Sequence, residues 1–442
     1  IGNGGLLSSD NGSVTISSGL ALNNGGTLSS GSGQVQIGGA LTLDGELRQG
    51  GGMLNLIGGG TVGSTGRLDV SHSSLQLGSA LSFAGTLVVN SGTYWSGLGG
   101  TVDLSAGTLE SSGGTLNLDQ FTTGANTAFK LSGNTEITSS DNMTFGTLDL
   151  GGNRLTLGTG SKGLTLPNTL TMDNVSSAIE TKNVNLTLGK ALSLTSGSIT
   201  STGGTLSFSG GLTLGSSGAL DVTGSTLSVS GALDLSSGTF SSDNNSMLDL
   251  QAATTLSAND QVTGQNPVTF EDVHFNGNVL TLGSASTHLK VNDALALSGI
   301  ALETGAGSLT LSGALALTDN ASLNSSGGTI TLVSGASAPS GTSISIPDTT
   351  FVLQNALSLT GATLKTKNTT FTTNANALTL SGGILEVEGV QDLSGVLPDN
   401  STTLRLAANS TIDDNASLSV GTLDLANFAL TLDDNMSGLS VA

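Results

Sequence analysis

The sequence has 442 residues, with 66 glycines, no cysteine and only 3% aromatic residues, so the large side chains of a conventional globular core are scarce. Its formal charge is −21, from 32 acidic and 11 basic residues without a run of Lys or Arg, which argues against a nucleic-acid partner. The lack of cysteine excludes disulfides and thiol catalysis. No apolar run reaches membrane-spanning length, so we predict no direct membrane insertion.

Short apolar–polar–apolar triplets begin at Val14 and recur along the chain, separated mainly by Gly, Ser, Thr, Asn and Asp. This alternation is typical of a very short strand with one buried face. The clearest run lies between Gly204 and Ser242, where Leu206 is followed three strands later by the equivalent Leu227. Three strands, or about 20 to 21 residues, therefore make one repeat.

Three series of inward residues follow from this period, taken in chain order. The first contains Val14, Val35, Leu54, Leu75, Trp95, Leu116, Ile137, Leu155, Ile179, Ile199, Leu220, Phe240, Val262, Leu280, Leu302, Leu323, Ile344, Leu364, Leu385, Leu404 and Leu423. The second runs from Leu20 through Leu206, Leu227, Leu248, Val268 and Leu289 to Phe371. The third runs from Leu28 through Leu212, Leu233, Leu256, Val273 and Leu295 to Leu418.

A unit this small cannot bury its own apolar face, so its coils must stack on one another. We predict an all-β fold, a single-chain parallel β-solenoid with three short strands per coil and roughly 21 coils. Unequal steps between coils favour a right-handed β-helix. One continuous solenoid over 1–442 is expected, with outward loops near 119–128, 167–178, 259–267, 333–343 and 389–401.

Turn residues agree with this fold. Gly-Gly at 203–204 and 327–328, and Asp-Asn at 319–320, lie between predicted strands, where a positive φ or a side-chain bond to the local backbone is needed. The repeat begins by Val14 and persists to Val441, so we expect a segment of a longer chain, or ends that stack on other molecules.

The residues suited to catalysis are dispersed. His72, His274 and His288 do not share a register, and we interpret them as solvated or locally bonded. A polysaccharide lyase or hydrolase would gather carboxylates on adjacent coils of one sheet. The outward aspartates do not show that arrangement; they are Asp69, Asp103, Asp149, Asp221, Asp234, Asp249 and Asp424. We assign no catalytic, cofactor-binding or metal-binding residue.

Two further polar patterns have simple explanations. The triplets Asp413-Asp414-Asn415 and Asp433-Asp434-Asn435 suit turns, with weak cation binding as the alternative. Lys365 and Glu386 occupy equivalent outward positions one coil apart, so we predict an ion pair between them.

The single Tyr and the single Trp are adjacent, at Tyr94 and Trp95. Trp95 replaces the inward Leu75 and Leu116 of neighbouring coils, while its partner inward position is Gly97, so we predict that Trp95 fills the core beside a missing side chain. Tyr94 should point outward, where it could contact a ligand.

The Leu-x-Leu pairs from Leu206-Ser-Phe208 to Leu233-Asp-Leu235 resemble the repeat regions of bacterial large exoproteins. The nearest families are filamentous-haemagglutinin-like adhesins and autotransporter passenger domains, and the resemblance covers nearly the whole chain. It implies secretion to the bacterial cell surface. The expected function is a non-catalytic structural segment of an extracellular filament or stalk, associating with copies of itself or with the rest of a longer chain. The alternatives are an adhesin for a host or neighbouring-cell ligand and, third, a carbohydrate-active enzyme.

Overall fold

The computed structural model describes residues 1–97, 99–172, 174–258, 267–373, 378–413, 417–434 and 436–442. These residues form parallel sheets stacked as a β-solenoid of about 20 turns with about 21 residues per coil, and they contain no helix. The chain is therefore a β-solenoid repeat protein. It divides into unit 1, Ile1–Gly210 with Ser217–Asp221, and unit 2, Gly211–Ser216 with Val222–Ala442. The predicted right-handedness and the single continuous solenoid stay predictions.

The strands of unit 1 are β1 (Leu6–Ser9), β2 (Val14–Ile16), β3 (Leu20–Leu22), β4 (Thr27–Ser30), β5 (Gln34–Ile37), β6 (Leu41–Leu43), β7 (Glu46–Gln49), β8 (Met53–Leu56), β9 (Gly60–Val62), β10 (Arg67–Asp69), β11 (Ser74–Leu77), β12 (Leu81–Phe83), β13 (Thr86–Val89), β14 (Tyr94–Gly97), β15 (Val102–Asp103), β16 (Thr108–Ser111), β17 (Gly114–Asn117), β18 (Phe121–Thr122), β19 (Ala128–Leu131), β20 (Thr135–Thr138), β21 (Asn142–Thr144), β22 (Thr147–Asp149), β23 (Arg154–Leu157), β24 (Gly163–Leu166), β25 (Ala178–Thr181), β26 (Asn185–Leu188), β27 (Leu192–Ser201) and β28 (Thr205–Phe208). The next strand, β29 (Leu212–Asp221), contributes residues to both units.

The strands of unit 2 are β30 (Thr226–Val229), β31 (Leu233–Leu235), β32 (Thr239–Ser241), β33 (Met247–Leu250), β34 (Thr254–Ala258), β35 (Val268–Phe270), β36 (Asp272–His274), β37 (Leu280–Leu282), β38 (His288–Val291), β39 (Leu295–Ser298), β40 (Ala301–Gly305), β41 (Ser308–Leu311), β42 (Leu315–Thr318), β43 (Ser322–Ser325), β44 (Thr329–Leu332), β45 (Ala336–Pro339), β46 (Ser343–Ser345), β47 (Thr350–Leu353), β48 (Leu357–Thr360), β49 (Thr363–Lys367), β50 (Thr370–Thr372), β51 (Leu378–Ser381), β52 (Ile384–Gln391), β53 (Val396–Pro398), β54 (Thr403–Ile412), β55 (Ser417–Val420), β56 (Thr422–Asp424), β57 (Leu430–Leu432) and β58 (Gly438–Val441).

From β1 to β16, every third strand pairs in parallel, which produces three walls. One wall has the order β1-β4-β7-β10-β13-β16-β19-β22, a second β2-β5-β8-β11-β14, and a third β3-β6-β9-β12-β15-β18. Leu28, Leu47 and Leu68 lie opposite one another on adjacent strands and are fully buried. Because strand side chains alternate between faces, each triplet contributes two residues to the core and exposes the one between them.

In unit 2 the three predicted series change walls between β33 and β37. Val273 was predicted to follow Leu256, but it lies opposite Leu248. Leu256 instead lies opposite Leu282, a step of 26 residues. The sequence prediction assumed a mean period and therefore assigned Val262 to the core, but the step in this coil is longer than that mean. Val262 itself lies outside the described residues. Later members of the first series, such as Leu302, pair as predicted with their own successors. In the third series, Leu315 pairs with Ala336 and Leu378 with Val396, which were not predicted.

Three segments predicted as outward loops contain strands. The segment 119–128 includes β18, 333–343 includes β45, and 389–401 includes the end of β52 and all of β53. In β45 the buried position is Ala338 rather than a leucine, so the triplet pattern does not reveal it. Parts of these segments therefore lie in the walls.

The other two predicted loops differ from each other. Segment 167–178 has no strand before its last residue among the residues described, yet Leu170 and Met172 are buried, so this connection also fills the core. Of the segment 259–267, all but Pro267 lies outside the described residues.

Turn predictions are confirmed where a positive φ was expected. Gly204 has φ +76° and Gly328 has φ +69°, while Asp319 and Asn320 have +54° and +63°. Glycine has no Cβ and tolerates this region, and Asp and Asn enter it more readily than other side chains.

Candidate functional site

The three histidines each have a local partner. Asn90 Nδ2 lies 2.9 to 3.0 Å from the ring nitrogens of His72 and donates to the imidazole. His274 Nε2 lies 3.0 Å from Asp272 Oδ2, and His288 Nε2 lies 2.9 Å from Thr310 Oγ1. The interpretation of the histidines as locally bonded is therefore confirmed.

The outward aspartates act mainly in turns. Asp69, Asp103, Asp149 and Asp234 each accept a hydrogen bond from the backbone N–H two residues further on, at 3.0 to 3.1 Å. Hydrogen bonding to the charged form lowers the pKa of Asp103, with the backbone N–H of Ser105 as the main cause. These carboxylates therefore stabilise local Asx turns.

Among the residues that the structure describes, no group of three or more His, Asp or Glu side chains is arranged to hold a metal ion. Asp414, Asn415 and Asn435, which belong to the two acidic triplets, lie outside the described residues. The described part of the chain also has no helix that is long and apolar enough to cross a bilayer.

A row of alternating charge crosses neighbouring coils of unit 2. Lys365, Glu386, Arg405 and Asp424 occupy paired positions on β49, β52, β54 and β56. Lys365 Nζ lies 3.6 Å from Glu386 Oε1, which confirms the predicted ion pair, and Arg405 Nε donates to Glu386 Oε2 at 3.0 Å. Since these side chains are partly exposed, each pair contributes less than about 1 kcal/mol. The row reinforces the register of the coils.

A second ion pair beside this row also joins neighbouring coils. Lys367 Nζ lies 2.6 Å from Glu388 Oε1, and this hydrogen bond raises the pKa of Lys367. The two pairs border a depression of about 370 Å³. Both lysines that line the depression are already paired with carboxylates, so it offers little free positive charge to a ligand.

A different depression, of about 340 Å³, lies where unit 1 carries its two rare aromatic side chains. We call it the Tyr94 depression; its lining residues are Thr93, Tyr94, Trp95, Thr115, Asn117, Asp119 and Gln120. Tyr94 is 68% exposed, which confirms that it points outward. Trp95 lies opposite Leu75, and Gly97 opposite Leu77, as predicted.

Trp95 is only partly buried, in contrast to the fully inward position predicted for it. Its ring contacts that of Phe121 edge to face, with centroids 4.7 Å apart and planes at 84°. This contact fixes the indole on one side while another part of it lines the depression. Trp95 is only partly buried because no described strand covers β14 on this side. Among the described strands β14 is the last of its wall, and β17, which carries Leu116, does not pair with it.

The polar lining comes from the next coil, between β17 and β18. Asn117 Nδ2 donates to Asp119 Oδ2 at 3.0 Å, and the backbone N–H of Ser140 donates to Asp119 Oδ1 at 2.7 Å. These bonds, that of Ser140 first, lower the pKa of Asp119 and keep it a carboxylate. The sequence pointed to Tyr94 alone; Asn117, Asp119 and Gln120 resemble the other outward polar residues, and no motif distinguishes them.

No protein-family model matches the chain, and neither a curated protein nor a solved structure is significantly similar to it. Its function is therefore inferred from the repeat architecture and from the side chains described above.

Proposed function

We propose that this chain is a non-catalytic structural segment of an extracellular bacterial surface filament or stalk. The observation that supports this is the repetition of equivalent buried rungs such as Leu28, Leu47 and Leu68 from coil to coil. Each coil meets its neighbours through the same contacts, so length can be added at a nearly constant free energy per coil. Each buried leucine contributes about 1.5 to 3 kcal/mol before the entropy of ordering is subtracted.

The surface suits crowded extracellular fibres. Outward positions carry Ser, Thr, Asn and Asp, and the net charge of −21 makes neighbouring copies repel one another unless specific contacts hold them together. In this proposal the partners are copies of the same chain or further parts of a longer chain. The location, secreted to the cell surface, follows from the same proposal and from the resemblance of the repeats to bacterial exoproteins.

Immunogold electron microscopy of the source cells tests the proposal. Antibodies raised against the purified chain should label filaments or a layer outside the cell envelope of intact cells. Antibodies against a cytoplasmic protein serve as the control and should label only sectioned cells. Label confined to the cytoplasm would overturn the proposal.

A surface adhesin is the second candidate, because the Tyr94 depression offers an exposed aromatic ring beside polar groups. A carbohydrate-active enzyme is the third, and it differs from both in that it would release new reducing ends from a polysaccharide. Incubation of the purified chain with a panel of polysaccharides, followed by a reducing-sugar assay, separates the third candidate from the first two.

A further inference from the structure

We propose that the Tyr94 depression binds a neutral pyranose oligosaccharide. The inference goes beyond a structural role and does not rest on the extracellular location. It starts from composition, because a chain of 442 residues has one Tyr and one Trp, and both line the same depression. An aromatic side chain combines a large apolar face with a polar edge, which suits the apolar face and the hydroxyl rim of a sugar ring.

The exposure of Tyr94 has no structural explanation in the stack. Its position in the register is shared by Ser74 on the preceding strand, a small polar residue. At 68% exposure the tyrosine buries little area, so it stabilises the fold only slightly. An exposed aromatic ring beside a concave surface with polar groups is suited to ligand binding.

The interruption between β14 and β17 makes room for the ligand. Within the described part of the chain, β14 pairs with β11 on one side and has no ladder partner on the other, while β17 pairs only with β20. Where strands of unit 1 are paired, a neighbouring strand fills this space at a separation of about 4.8 Å. Because β14 and β17 are not paired, the depression lies between them. The Trp95 ring lines it and packs against Phe121.

The polar groups are suited to sugar hydroxyls. The Asp119 carboxylate accepts hydrogen bonds from Ser140 and Asn117, and a carboxylate has about four lone-pair sites, so it can also accept from a sugar hydroxyl. Gln120 is exposed, and its side-chain amide has no hydrogen-bond partner among the described residues, so it can both donate and accept. A few polar groups around an aromatic surface fix the orientation of a small ligand.

Charge selects the class of saccharide. The depression has a carboxylate that its hydrogen bonds keep ionised and no cationic side chain in its lining, and the chain as a whole has a charge of −21. Uronates and sulfated sugars would therefore be repelled. A neutral hexopyranose chain avoids this repulsion while its hydroxyls use the carboxylate as an acceptor.

Intrinsic fluorescence gives a direct assay, because Trp95 is the only tryptophan and lines the proposed site. The purified full chain is titrated with maltohexaose, cellohexaose and the fully N-acetylated chitohexaose, each up to about 10 mM, a range that covers the weak affinity of a single shallow site. We expect a saturable change of Trp95 emission with at least one of them. A sulfated oligosaccharide of similar length should give none.

Variants then assign the binding. Tyr94→Ala should weaken binding at least about tenfold with an unchanged melting temperature, since the ring is mostly exposed. Gln120→Ala should weaken it by a smaller factor, and Gln36→Ala, on the same wall but away from the depression, should leave it unchanged. The proposal is overturned if none of the three neutral probes binds, or if Tyr94→Ala binds them as tightly as the unaltered chain.

Discussion

Cysteines introduced at Thr255 and Thr281 should form a disulfide, because these positions lie opposite each other on β34 and β37. Adjacent parallel strands are about 4.8 Å apart, within the Cα separation of about 4.4 to 6.8 Å that a disulfide accepts. The spacing of the sequence alone places β36 beside β34, which would pair Thr255 with Asp272. The structure instead places Asp272 opposite Met247. The two cysteine pairs therefore distinguish the two registers.

The bridge would close a loop spanning 26 residues, which the chain-entropy model values at about 3.5 kcal/mol, less any strain in the native state. The chain has no cysteine of its own, so thiol titration reports only the introduced pair. Thr255→Cys/Thr281→Cys should lose both thiols under mild oxidation and melt at a higher temperature than its reduced form. Thr255→Cys/Asp272→Cys should remain reduced. Preferential oxidation of the second pair would refute the register described for unit 2.

Three further predictions concern the stability of unit 1. Leu47→Ala should lower the free energy of unfolding by about 2 to 5 kcal/mol in denaturant titrations, because Leu47 is fully buried, while the exposed Thr42→Ala should change it by less than about 0.5. Gly52→Ala should cost more than about 1 kcal/mol, because φ is +70° and a Cβ would lie 2.3 Å from a backbone oxygen of the preceding coil; an unchanged melting temperature would contradict this backbone geometry. Stability should also decrease as pH falls below about 4, because the pKa values of Asp103 and Asp119 are lower in the folded chain than in the unfolded one, so the unfolded state takes up protons first. Thermal melts between pH 5 and pH 2 should show this decrease, with a shallower slope for Asp103→Asn; a flat profile would argue against it.

Most of the fold follows from local pattern. Alternation of apolar and polar residues indicates which face of a strand is buried, and a leucine one coil further on indicates which residue lies opposite. The ladder from Leu28 to Leu68 could therefore be predicted. The pattern fails where a coil has an unusual length or a small core residue. The step from Leu256 to Leu282 and the buried Ala338 are such cases, because a mean period cannot place a connection that exceeds it.

The candidate site was harder to predict than the fold, for a physical reason. Inward positions are constrained by packing, so their identity reveals their place, whereas an outward Asn or Asp looks the same on every coil. Tyr94 could be selected because it is the only tyrosine in the sequence, but no sequence pattern places it near Asn117 or Gln120. Their proximity depends on a missing strand pair, which is a long-range property of the stack.

The interruption at the Tyr94 depression is the first of a set in unit 1. Among the described strands, the three walls end in turn at β14, β18 and β22, and new pairing begins at β17 and β21. The breaks pass from wall to wall between Gly97 and Asp149, over about two and a half coils, and we interpret them as one displacement of the stack. A stack tolerates such a displacement only where the core is refilled, and Trp95 against Phe121, with Phe129 against Phe145 nearby along the chain, provides large rings at this level. Of these rings, Phe129 and Phe145 are buried, whereas Trp95 both packs against Phe121 and lines the opened wall. A repeating scaffold can acquire a binding surface in this way, at a break in its repeat, without any change to the coils on either side.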